Sequence, residues 1–527
     1  MPGKTQAQCA GSFTADCAIL LLQIMDFLDP QNERRSRTRL FLGYCLVALA
    51  IGIATLILLY WSYGYNVDRQ GDVTQNGLLF ISSQPAGASV YLNNTRYKAN
   101  TNTRVTTQAG RYLLRIAKQG YRDWQRTVVV AGGDVQHFDY PFLFPTTLKT
   151  SSLADLDTDP SVATQSPDKR WLLLGEPTKS GDFTEYDLKD PAKPIASEVV
   201  LPDGSFTPGI GTQTWAPVEW ASDNRHVLLL HTYASVAGTQ HEYIVLNRDT
   251  PASSTNLTNT LKLAQTDSVS LFNSRVDQFY VYSIADQTLR RLNGSNAAEV
   301  SILPHILAFK ASASDKILYV TDQSPTGKAT PGKVSVVLQV GQQTYTLRTL
   351  PPAGNGSYVI DLAEYSGDWY AAVASTTDSS VYVYQNPQNQ ATTGPDDYPA
   401  PWRLLPLANP SYLSFSDNAQ FLLAESGQNF AVYDLENIGQ YYYRATQPMD
   451  PPQTHAVWMG GDQLAYVSGG KLVAFDYDYQ NQQTLVDANA AFVPFFSGDF
   501  SYLYALRSSG LAGPKPALTS TPLVVKP

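Results

Sequence analysis

The chain has 527 residues, 16% of them charged, and a formal net charge of −9 at pH 7. The length predicts about three or four structural units, and the basic residues form no long stripe in the C-terminal region, which excludes nucleic acid as an expected partner. All three cysteines, Cys9, Cys17 and Cys45, precede or lie within one hydrophobic segment, so no disulfide framework or cysteine-based zinc site is expected in the rest of the chain.

That hydrophobic segment predicts a membrane anchor. Residues 40–63 carry no charge, and as a helix they would span about 36 Å, enough to cross a hydrocarbon core of about 30 Å. A buried core helix and a cleaved signal peptide are the alternatives. We favour an uncleaved transmembrane helix, because the apolar run is longer than that of a typical signal peptide and no small-residue cleavage site follows it.

The flanks of the segment predict its orientation. Basic residues cluster before it, so the N-terminus is expected in the cytoplasm and the C-terminal region outside the cell membrane. Aromatic residues at the other end are expected to form a belt at the outer interface. The basic residues are Arg34, Arg35, Arg37 and Arg39, and the aromatic residues are Tyr60, Trp61, Tyr63 and Tyr65.

Residues 1–39 are therefore a predicted cytoplasmic tail, and residues 64–76 a predicted polar spacer. Residues 1–24 differ in composition from the rest, and Met25 opens a segment that would itself make a short tail. The hypothesis is that translation starts at Met25. Detection of a peptide from residues 1–24 by mass spectrometry would contradict it.

The chain after the spacer alternates in the manner of a half-buried β-strand. Ala88, Val90 and Leu92 alternate with more polar residues, which is the period of two of a strand. Asn93 and Asn94 can adopt positive φ and are predicted to turn the chain back. Further strands are predicted over 112–117, 127–130 and 135–144.

Residues 77–144 resemble a PEGA domain. The resemblance departs at Ala86, where Glu is usual, at Asn94, where Gly is usual, and over 98–104, which replace a Gly-x-Thr-Pro stretch. The resemblance implies a small β-sandwich of the kind found in prokaryotic envelope and surface proteins. The motif residues are Pro85, Ala86, Gly87, Ala88, Gly110, Gly120 and Tyr121.

The remaining chain is predicted to be a linker, 145–165, followed by a repeat array, 166–527. A turn rich in Ser, Asp and Gly and then two apolar strands recur eight times, at an irregular spacing near the ~40–50 residues of a propeller blade. The continuous apolar runs 171–174 and 227–230 predict strands buried on both faces. The array resembles TolB-like β-propeller repeats, and the closest copy of their turn is Ser166-Pro167-Asp168-Lys169. Eight blades are predicted, with seven as the alternative.

Several fragments that could carry chemistry fit structural roles better. Three aspartates at alternate positions lack the glycine and glutamate of a calcium loop, and Gly327-Lys328 lacks the remainder of a phosphate-binding loop. A metal site at three nearby histidines and a glutamate is considered but not favoured, because they fall on different predicted strands. No catalytic, metal-binding or cofactor-binding residue is therefore predicted. The acidic residues are Asp155, Asp157, Asp159, Asp476 and Asp478, and the candidate metal ligands are His226, His231, His241 and Glu242.

The expected fold is mainly β: one transmembrane helix, a small PEGA-like β-sandwich and a 7–8-bladed β-propeller. The expected function is that of a membrane-anchored binding or scaffold protein of the bacterial cell envelope, recognising a surface glycan, cell-wall polymer or protein. The alternative is an extracytoplasmic hydrolase or lyase, since a fold alone does not decide function. Exposed aromatics such as Tyr441, Tyr442 and Tyr443 could bind such a ligand, although packing between blades is the favoured interpretation.

Overall fold

The computed structural model describes residues 30–62, 65–67, 73–211, 213–312, 315–323, 332–390, 398–508 and 515–525. Strands dominate, so the prediction of a mainly β chain is confirmed. The chain divides into two units. One unit comprises residues 1–116 and 125–141, and the other comprises residues 117–124 and 142–527.

The long helix α1, Pro30–Ser62, contains the hydrophobic segment. Arg39–Tyr60 has a mean hydropathy of 2.5 and none of it is buried by protein. The hydroxyl of Thr55 donates to the carbonyl oxygen of Ile51 at 2.8 Å, so this polar side chain is satisfied within the helix. By length and composition, α1 is apolar enough to span a membrane. It begins ten residues before the predicted span, because the basic flank is helical as well.

The next eight strands form a β-sandwich of two four-stranded sheets. In one sheet β2 pairs antiparallel with β1 and β5 and parallel with β8, and the other sheet has the order β4-β3-β6-β7. Leu79, Val90, Val105 and Leu114 are fully buried between the two sheets. The strands are β1 Tyr65–Val67, β2 Val73–Ile81, β3 Ser89–Leu92, β4 Thr95–Asn100, β5 Thr103–Gln108, β6 Gly110–Ala117, β7 Trp124–Val130 and β8 Val135–Phe138.

The sandwich follows the predicted pattern in part. Asn93 and Asn94 have φ of 47° and 64°, so the predicted turn is present between β3 and β4. The prediction of a spacer over 64–76 was wrong, because β1 and the start of β2 lie within it. Residues 98–104, which depart from the family pattern, form the second half of β4 and the start of β5. Polar residues occupy most positions of these two strands, so their sequences show no alternating apolar pattern.

The following strands form eight four-stranded antiparallel sheets, called blades 1 to 8, in the part of the chain that the structure describes. This is the larger of the two predicted blade counts. Strand β9 is Ser151–Asp155. Blade 1 consists of β10 Val162–Gln165, β11 Trp171–Gly175, β12 Asp182–Asp187 and β13 Ile195–Val200. Blade 2 consists of β14 Thr214–Trp220, β15 His226–Ser235, β16 Gly238–Asn247 and β17 Thr255–Asn256, followed by the short helix α2, Leu257–Leu261.

The middle blades repeat the same meander. Blade 3 consists of β18 Asp267–Phe272, β19 Arg275–Ser283, β20 Thr288–Asn293 and β21 Glu299–Leu303. Blade 4 consists of β22 Ile306–Ala311, β23 Lys316–Thr321, β24 Val334–Val340 and β25 Gln343–Leu350. Blade 5 consists of β26 Tyr358–Tyr365, β27 Asp368–Ser375, β28 Ser380–Gln385 and β29 Arg403–Pro406.

The last blades lead back to the first propeller strand. Blade 6 consists of β30 Tyr412–Phe415, β31 Phe421–Ser426, β32 Asn429–Asp434 and β33 Gly439–Arg444. Blade 7 consists of β34 Val457–Trp458, β35 Gln463–Ser468, β36 Lys471–Asp476 and β37 Gln483–Asp487. Blade 8 consists of β38 Phe495–Phe496, β39 Tyr502–Arg507, β40 Ala517–Pro522 and β9.

Blade 8 is built from both ends of the propeller sequence. The N-terminal strand β9 pairs with β40, with Ala154 opposite Leu518. One sequence prediction is corrected here: the linker 145–165 contains β9 and β10. In β40, Thr519 and Thr521 are buried although their side chains are polar, which explains why an apolar pattern did not reveal the strand.

Residues buried between blades form the core. Leu172 and Leu173 in β11 and Val227 and Leu228 in β15 are fully buried, which confirms the predicted double-sided burial of the second strands. First strands of successive blades contact one another, as β10 does β14 and β22 does β26. The first strands therefore lie around a central channel.

The turns between the first and second strands of blades 1, 6 and 8 share one hydrogen-bonding pattern. In blade 1 the hydroxyl of Ser166 donates to Asp168 at 2.5 Å and accepts from the backbone N–H of Trp171 at 2.9 Å. The same bonds join Ser416, Asn418 and Phe421 in blade 6, and Ser497, Asp499 and Tyr502 in blade 8. The repeated Ser-x-Asp pattern of the sequence is thus a local hydrogen-bonding motif.

The fourth residue of this turn has positive φ, at 59° for Lys169, 57° for Ala419 and 54° for Phe500. Because a Cβ atom strains this conformation, Ala419→Gly is expected to stabilise the propeller by about 1 kcal/mol, measured by calorimetry. The matched control is Ala490→Gly, at a half-buried loop residue outside the positive-φ region, which is expected to destabilise by about 0.5–1 kcal/mol. Destabilisation by Ala419→Gly would contradict the strain argument.

Candidate functional site

A cleft of about 590 Å³ opens at the turn end of the channel. Its volume lies within the range of about 300–1,000 Å³ that is usual for small-ligand sites. First strands and turns of blades 1, 2, 6, 7 and 8 contribute to its walls. We call this cleft the channel mouth; the residues used below are Gln165, Lys169, Pro217, Asp417, Trp458, Val493 and Phe496.

The channel mouth contains an ion pair between a residue of blade 1 and a residue of blade 6. The Nζ atom of Lys169 lies 3.9 Å from Oδ2 of Asp417, and it also lies 4.2 Å from the centre of the Phe500 ring. Both charged residues are in the shared turn motif, Lys169 at its fourth position in blade 1 and Asp417 at its second in blade 6. The turn geometry therefore directs these two charges into the cleft.

Burial in the cleft disfavours the charged forms of both Lys169 and Asp417. Burial lowers the pKa of Lys169, and the nearby Asp417 only partly opposes that shift. Burial in the concave site likewise raises the pKa of Asp417, although 57% of its side chain remains accessible, and Lys169 partly opposes the shift. Each charge depends on its partner, so a ligand that replaces water here meets a paired rather than an isolated charge.

Gln165 supplies an oriented acceptor beside the ion pair. Its amide nitrogen donates to the carbonyl oxygens of Lys169 at 3.0 Å and Phe496 at 2.8 Å. These two bonds fix which side of the amide is the oxygen. Its Oε1 atom has no hydrogen-bond partner among the described residues and can accept one from a ligand.

A second polar group lies on or beside the first strands of blades 4 to 7. Lys310 of blade 4 pairs with Asp361 of blade 5 at 3.0 Å, and the ring of Tyr412 stacks on His455 with centres 3.9 Å apart. Burial raises the pKa of Tyr412 and lowers the pKa of His455. Sequence analysis did not group these residues, since four different blades supply them.

The carboxylates of the channel also connect one blade to the next. Glu219 accepts from the N–H of Leu271 at 3.0 Å, Asp361 from the N–H of Phe415 at 2.8 Å. Glu425 accepts from the N–H of Ala456 at 3.0 Å. Each acceptor lies one blade before its donor, so these hydrogen bonds hold neighbouring blades together.

The histidines considered as metal ligands do not converge. Nδ1 of His231 lies 2.8 Å from Glu242, but His226 contacts Asp223 and His241 contacts Thr232. His231 pairs with Glu242 across β15 and β16, whereas His241 pairs with Thr232, so the two histidines point to opposite faces of the sheet. His231 and His241 therefore do not face one another across a shared site.

The His231–Glu242 pair is a buried structural cluster. Nε2 of His231 lies 2.8 Å from Gln213, and the Trp215 ring stacks on the imidazole with centres 4.2 Å apart. Burial alone would raise the pKa of Glu242, but hydrogen bonds from His231, the Thr207 N–H and other groups outweigh it and lower the pKa. The cluster ties the loop before β14 to blade 2.

Four of the other acidic residues considered in the sequence analysis each have their own hydrogen-bond or ion-pair partner. Asp155 accepts from Ser152 at 2.6 Å, and Asp157 pairs with Lys515 at 3.1 Å. Asp476 accepts from Trp124 at 2.8 Å and is buried, while Asp478 accepts from the N–H of Gln480 at 3.2 Å. Gly327 and Lys328 lie outside the described residues.

The three consecutive tyrosines divide between packing and exposure. Tyr443 stacks on Phe430 and on Tyr479, with ring centres 5.1 Å and 5.0 Å apart, and Tyr441 contacts Tyr477 edge-on. These two rings pack between blades 6 and 7, as favoured from the sequence. Tyr442 is 47% exposed.

The residues of the PEGA motif lie at bends and strand starts. Gly87 and Gly120 have φ of 81° and 83°, a conformation in which glycine is the least strained residue. Ala88 is fully buried, Tyr121 is buried, and Gly110 opens β6. Pro85 and Ala86 lie in the bend between β2 and β3.

The residues predicted to set membrane orientation are described only in part. Arg39 is exposed, and Tyr60 stacks on Tyr65 with ring centres 5.1 Å apart. Tyr63 lies outside the described residues, as do the side chains of Arg34, Arg35, Arg37 and Trp61 within α1 and the whole of residues 1–29. Orientation remains a prediction from the sequence.

Solved structures similar to this chain have low identity. They include a dihydro-heme d1 dehydrogenase, NirN, in complex with DHE, at 15% identity and a TM-score of 0.38 over 62% of this chain and 66% of that chain, just under two thirds of its length. Hsv2 of Kluyveromyces lactis is 12% identical, with a TM-score of 0.37 over 62% of this chain and 97% of its own. An oligogalacturonate lyase in complex with manganese is 11% identical, with a TM-score of 0.37 over 72% of this chain and 98% of its own.

No curated protein matches the chain. One family model does match, and it covers the β-sandwich except for β1 and the first residues of β2. The match agrees with the resemblance that rests on Pro85–Ala88, Gly110 and Gly120-Tyr121. Residues 76–143 match the PEGA domain.

Proposed function

We propose that this chain is a membrane-anchored, extracytoplasmic binding or scaffold protein of a bacterial cell envelope, and that the channel mouth is its recognition site. The observation that carries the proposal is the cleft of about 590 Å³ where five blades meet, lined by an ion pair, an oriented amide and apolar side chains. Such a mixture of apolar walls and a few fixed polar groups is typical of binding sites.

The location rests on the N-terminal region. The apolar helix α1 supports membrane attachment, and the basic cluster before it supports a cytoplasmic N-terminus. The PEGA match supports an envelope setting. A reporter fused after Gln75 should accordingly be active only outside the cytoplasm, and activity confined to the cytoplasm would overturn the orientation.

Site-specific photo-crosslinking tests the recognition site. A photoreactive residue replacing Val493, which lines the channel mouth, is expected to give a discrete adduct with an envelope component in intact cells. The matched control is the same replacement at Val236, which is 98% exposed at the tip of the β15–β16 hairpin. Adducts of equal yield at both valines, or none at Val493, would contradict the proposal.

An extracytoplasmic hydrolase or lyase is the second candidate. The observation that favours it is the convergence of Lys310, Asp361, Tyr412 and His455 from four blades, since catalysis needs titratable groups close together. Turnover of an envelope polysaccharide or peptide that is abolished by Tyr412→Phe, with the thermal transition unchanged, would favour this candidate over binding alone.

A further inference from the structure

The charges of the channel mouth sum to zero. Lys169 and Asp417 are the charged residues that line it, one of each sign, and they lie 3.9 Å apart. An anionic ligand would be attracted by Lys169 and repelled by Asp417, and a cationic ligand the reverse, so the two effects offset each other. A charged ligand would thus lose hydration in the cleft without gaining a net opposite charge. The mouth therefore discriminates against ligands that carry a net charge at the point of contact.

The remaining groups suit a ligand with hydroxyls and apolar faces. Asp417 and Gln165 present oxygen acceptors, and Lys169 presents N–H donors, so hydroxyl groups can both donate and accept here. Pro217, Trp458 and neighbouring apolar side chains form the walls between these polar groups. A pyranose ring has this same combination, with hydroxyls at its edge and C–H groups on its faces.

We propose that the channel mouth binds a short segment of an uncharged glycan, with its hydroxyls shared between Asp417, Lys169 and Gln165. This inference rests on the proposed function and names its ligand class. A charged glycan or a protein segment at the same cleft is an outcome that the test below separates from it.

The test compares hexasaccharides of equal length by calorimetric titration into the full-length protein in detergent. The uncharged probes are hexamers of glucose, mannose and N-acetylglucosamine, and the charged probes are hexamers of galacturonic acid and glucosamine. At least one uncharged hexamer is expected to bind about tenfold or more tightly than either charged hexamer. Tighter binding of a charged hexamer would overturn the inference.

Two variants that alter the charge sum make the test specific to the cleft. Asp417→Asn leaves Lys169 unpaired and is expected to improve binding of the galacturonic acid hexamer by about tenfold relative to the uncharged one. Lys169→Met is expected to shift preference toward the glucosamine hexamer. The control is Asp203→Asn, at an exposed loop aspartate outside the cleft. It changes the net charge by the same amount as Asp417→Asn and is expected to leave the preference among hexasaccharides unaltered.

Folding is checked by the thermal transition of each variant, and the two charge variants provide independent readings. If no hexasaccharide binds while the Val493 adduct persists, the proposed function stands and the glycan inference is wrong. If neither binding nor the adduct is found, both fail. Preferences that are identical in all variants would place the sugar elsewhere and also overturn the inference.

Discussion

The Arg248→Ala variant is expected to lose about 3–5 kcal/mol of folding free energy, because it leaves a buried carboxylate without its partner. The side chains of Arg248 and Glu185 are 8% and 7% exposed, and Nη1 of Arg248 lies 3.2 Å from Glu185. The guanidinium also covers the Trp171 ring at 3.6 Å and donates to the carbonyl oxygen of Asn224 at 2.7 Å. It thus joins blade 1 to blade 2 by charge, stacking and a backbone hydrogen bond.

The loss should depend on pH. Burial raises the pKa of Glu185, and Arg248 opposes this shift, so removing Arg248 raises the pKa further. A carboxyl group with a raised folded-state pKa contributes stability that is complete below its unfolded pKa and is lost as pH rises through the folded value. The variant should therefore be much closer to the parent protein at pH 4 than at pH 8, as measured by chemical denaturation.

Two controls distinguish the effect of breaking the buried ion pair from the effect of removing any arginine. Arg275→Ala removes a guanidinium from a pair with Asp277 whose side chains are 65% and 54% exposed, and it is expected to cost less than about 1 kcal/mol. Replacing both partners, as Arg248→Met with Glu185→Gln, is expected to recover much of the loss. Equal effects of Arg248→Ala and Arg275→Ala would contradict the role assigned to burial.

The Glu425→Gln variant is expected to be more stable than the parent protein at pH 8 and equally stable at pH 4. Glu425 is fully buried, and its Oε2 atom has no hydrogen-bond partner among the described residues. Burial raises its pKa well above the usual value, and the N–H of Ala456 only partly opposes this. Burial thus favours the neutral carboxyl group in the folded state, and glutamine reproduces its shape without a charge.

The stability difference should grow steadily with pH. Because the folded pKa is raised, the contribution of Glu425 is complete below its unfolded pKa and declines above it, by at most about 1.4 kcal/mol per pH unit. Differential scanning calorimetry of both proteins across this range measures the divergence. Glu299→Gln, at an exposed glutamate of β21, should show no such divergence; a flat difference for Glu425→Gln would indicate that the buried carboxyl group is ionised.

The sequence predicts those elements whose apolar residues follow a regular period. The apolar segment of α1 and the strands β3, β6, β11 and β15 all have a continuous or alternating apolar signal, and the structure places a helix or strand at each. The strands β4 and β9 were missed, since polar or charged residues (Ser, Thr, Asn, Asp, Arg and Lys) occupy most of their positions. Polar strands of this kind are stabilised by pairing with neighbouring strands in the sheet. A local stretch of sequence does not show which strands those neighbours are.

The candidate site was less predictable than the fold. Lys169 was part of a recognised turn motif, but its partner Asp417 lies five blades later, and their contact depends on how the blades close into a ring. In contrast, His226, His231 and His241 are near in sequence, yet strand pleating separates their side chains. Proximity in sequence is therefore a poor guide to sites on a propeller, where the ring brings distant turns together.

The pairing of β9 with β40 has a consequence for how the protein is made. A ribosome completes β9 at the start of the propeller and β40 only near its end, so blade 8 cannot assemble until almost the whole array has emerged. Contacts between residues so distant in sequence are slow to form, and unpaired strand edges are prone to aggregate meanwhile. Unpaired strand edges therefore stay exposed for a long interval during synthesis, and a truncated product would be open to proteolysis throughout.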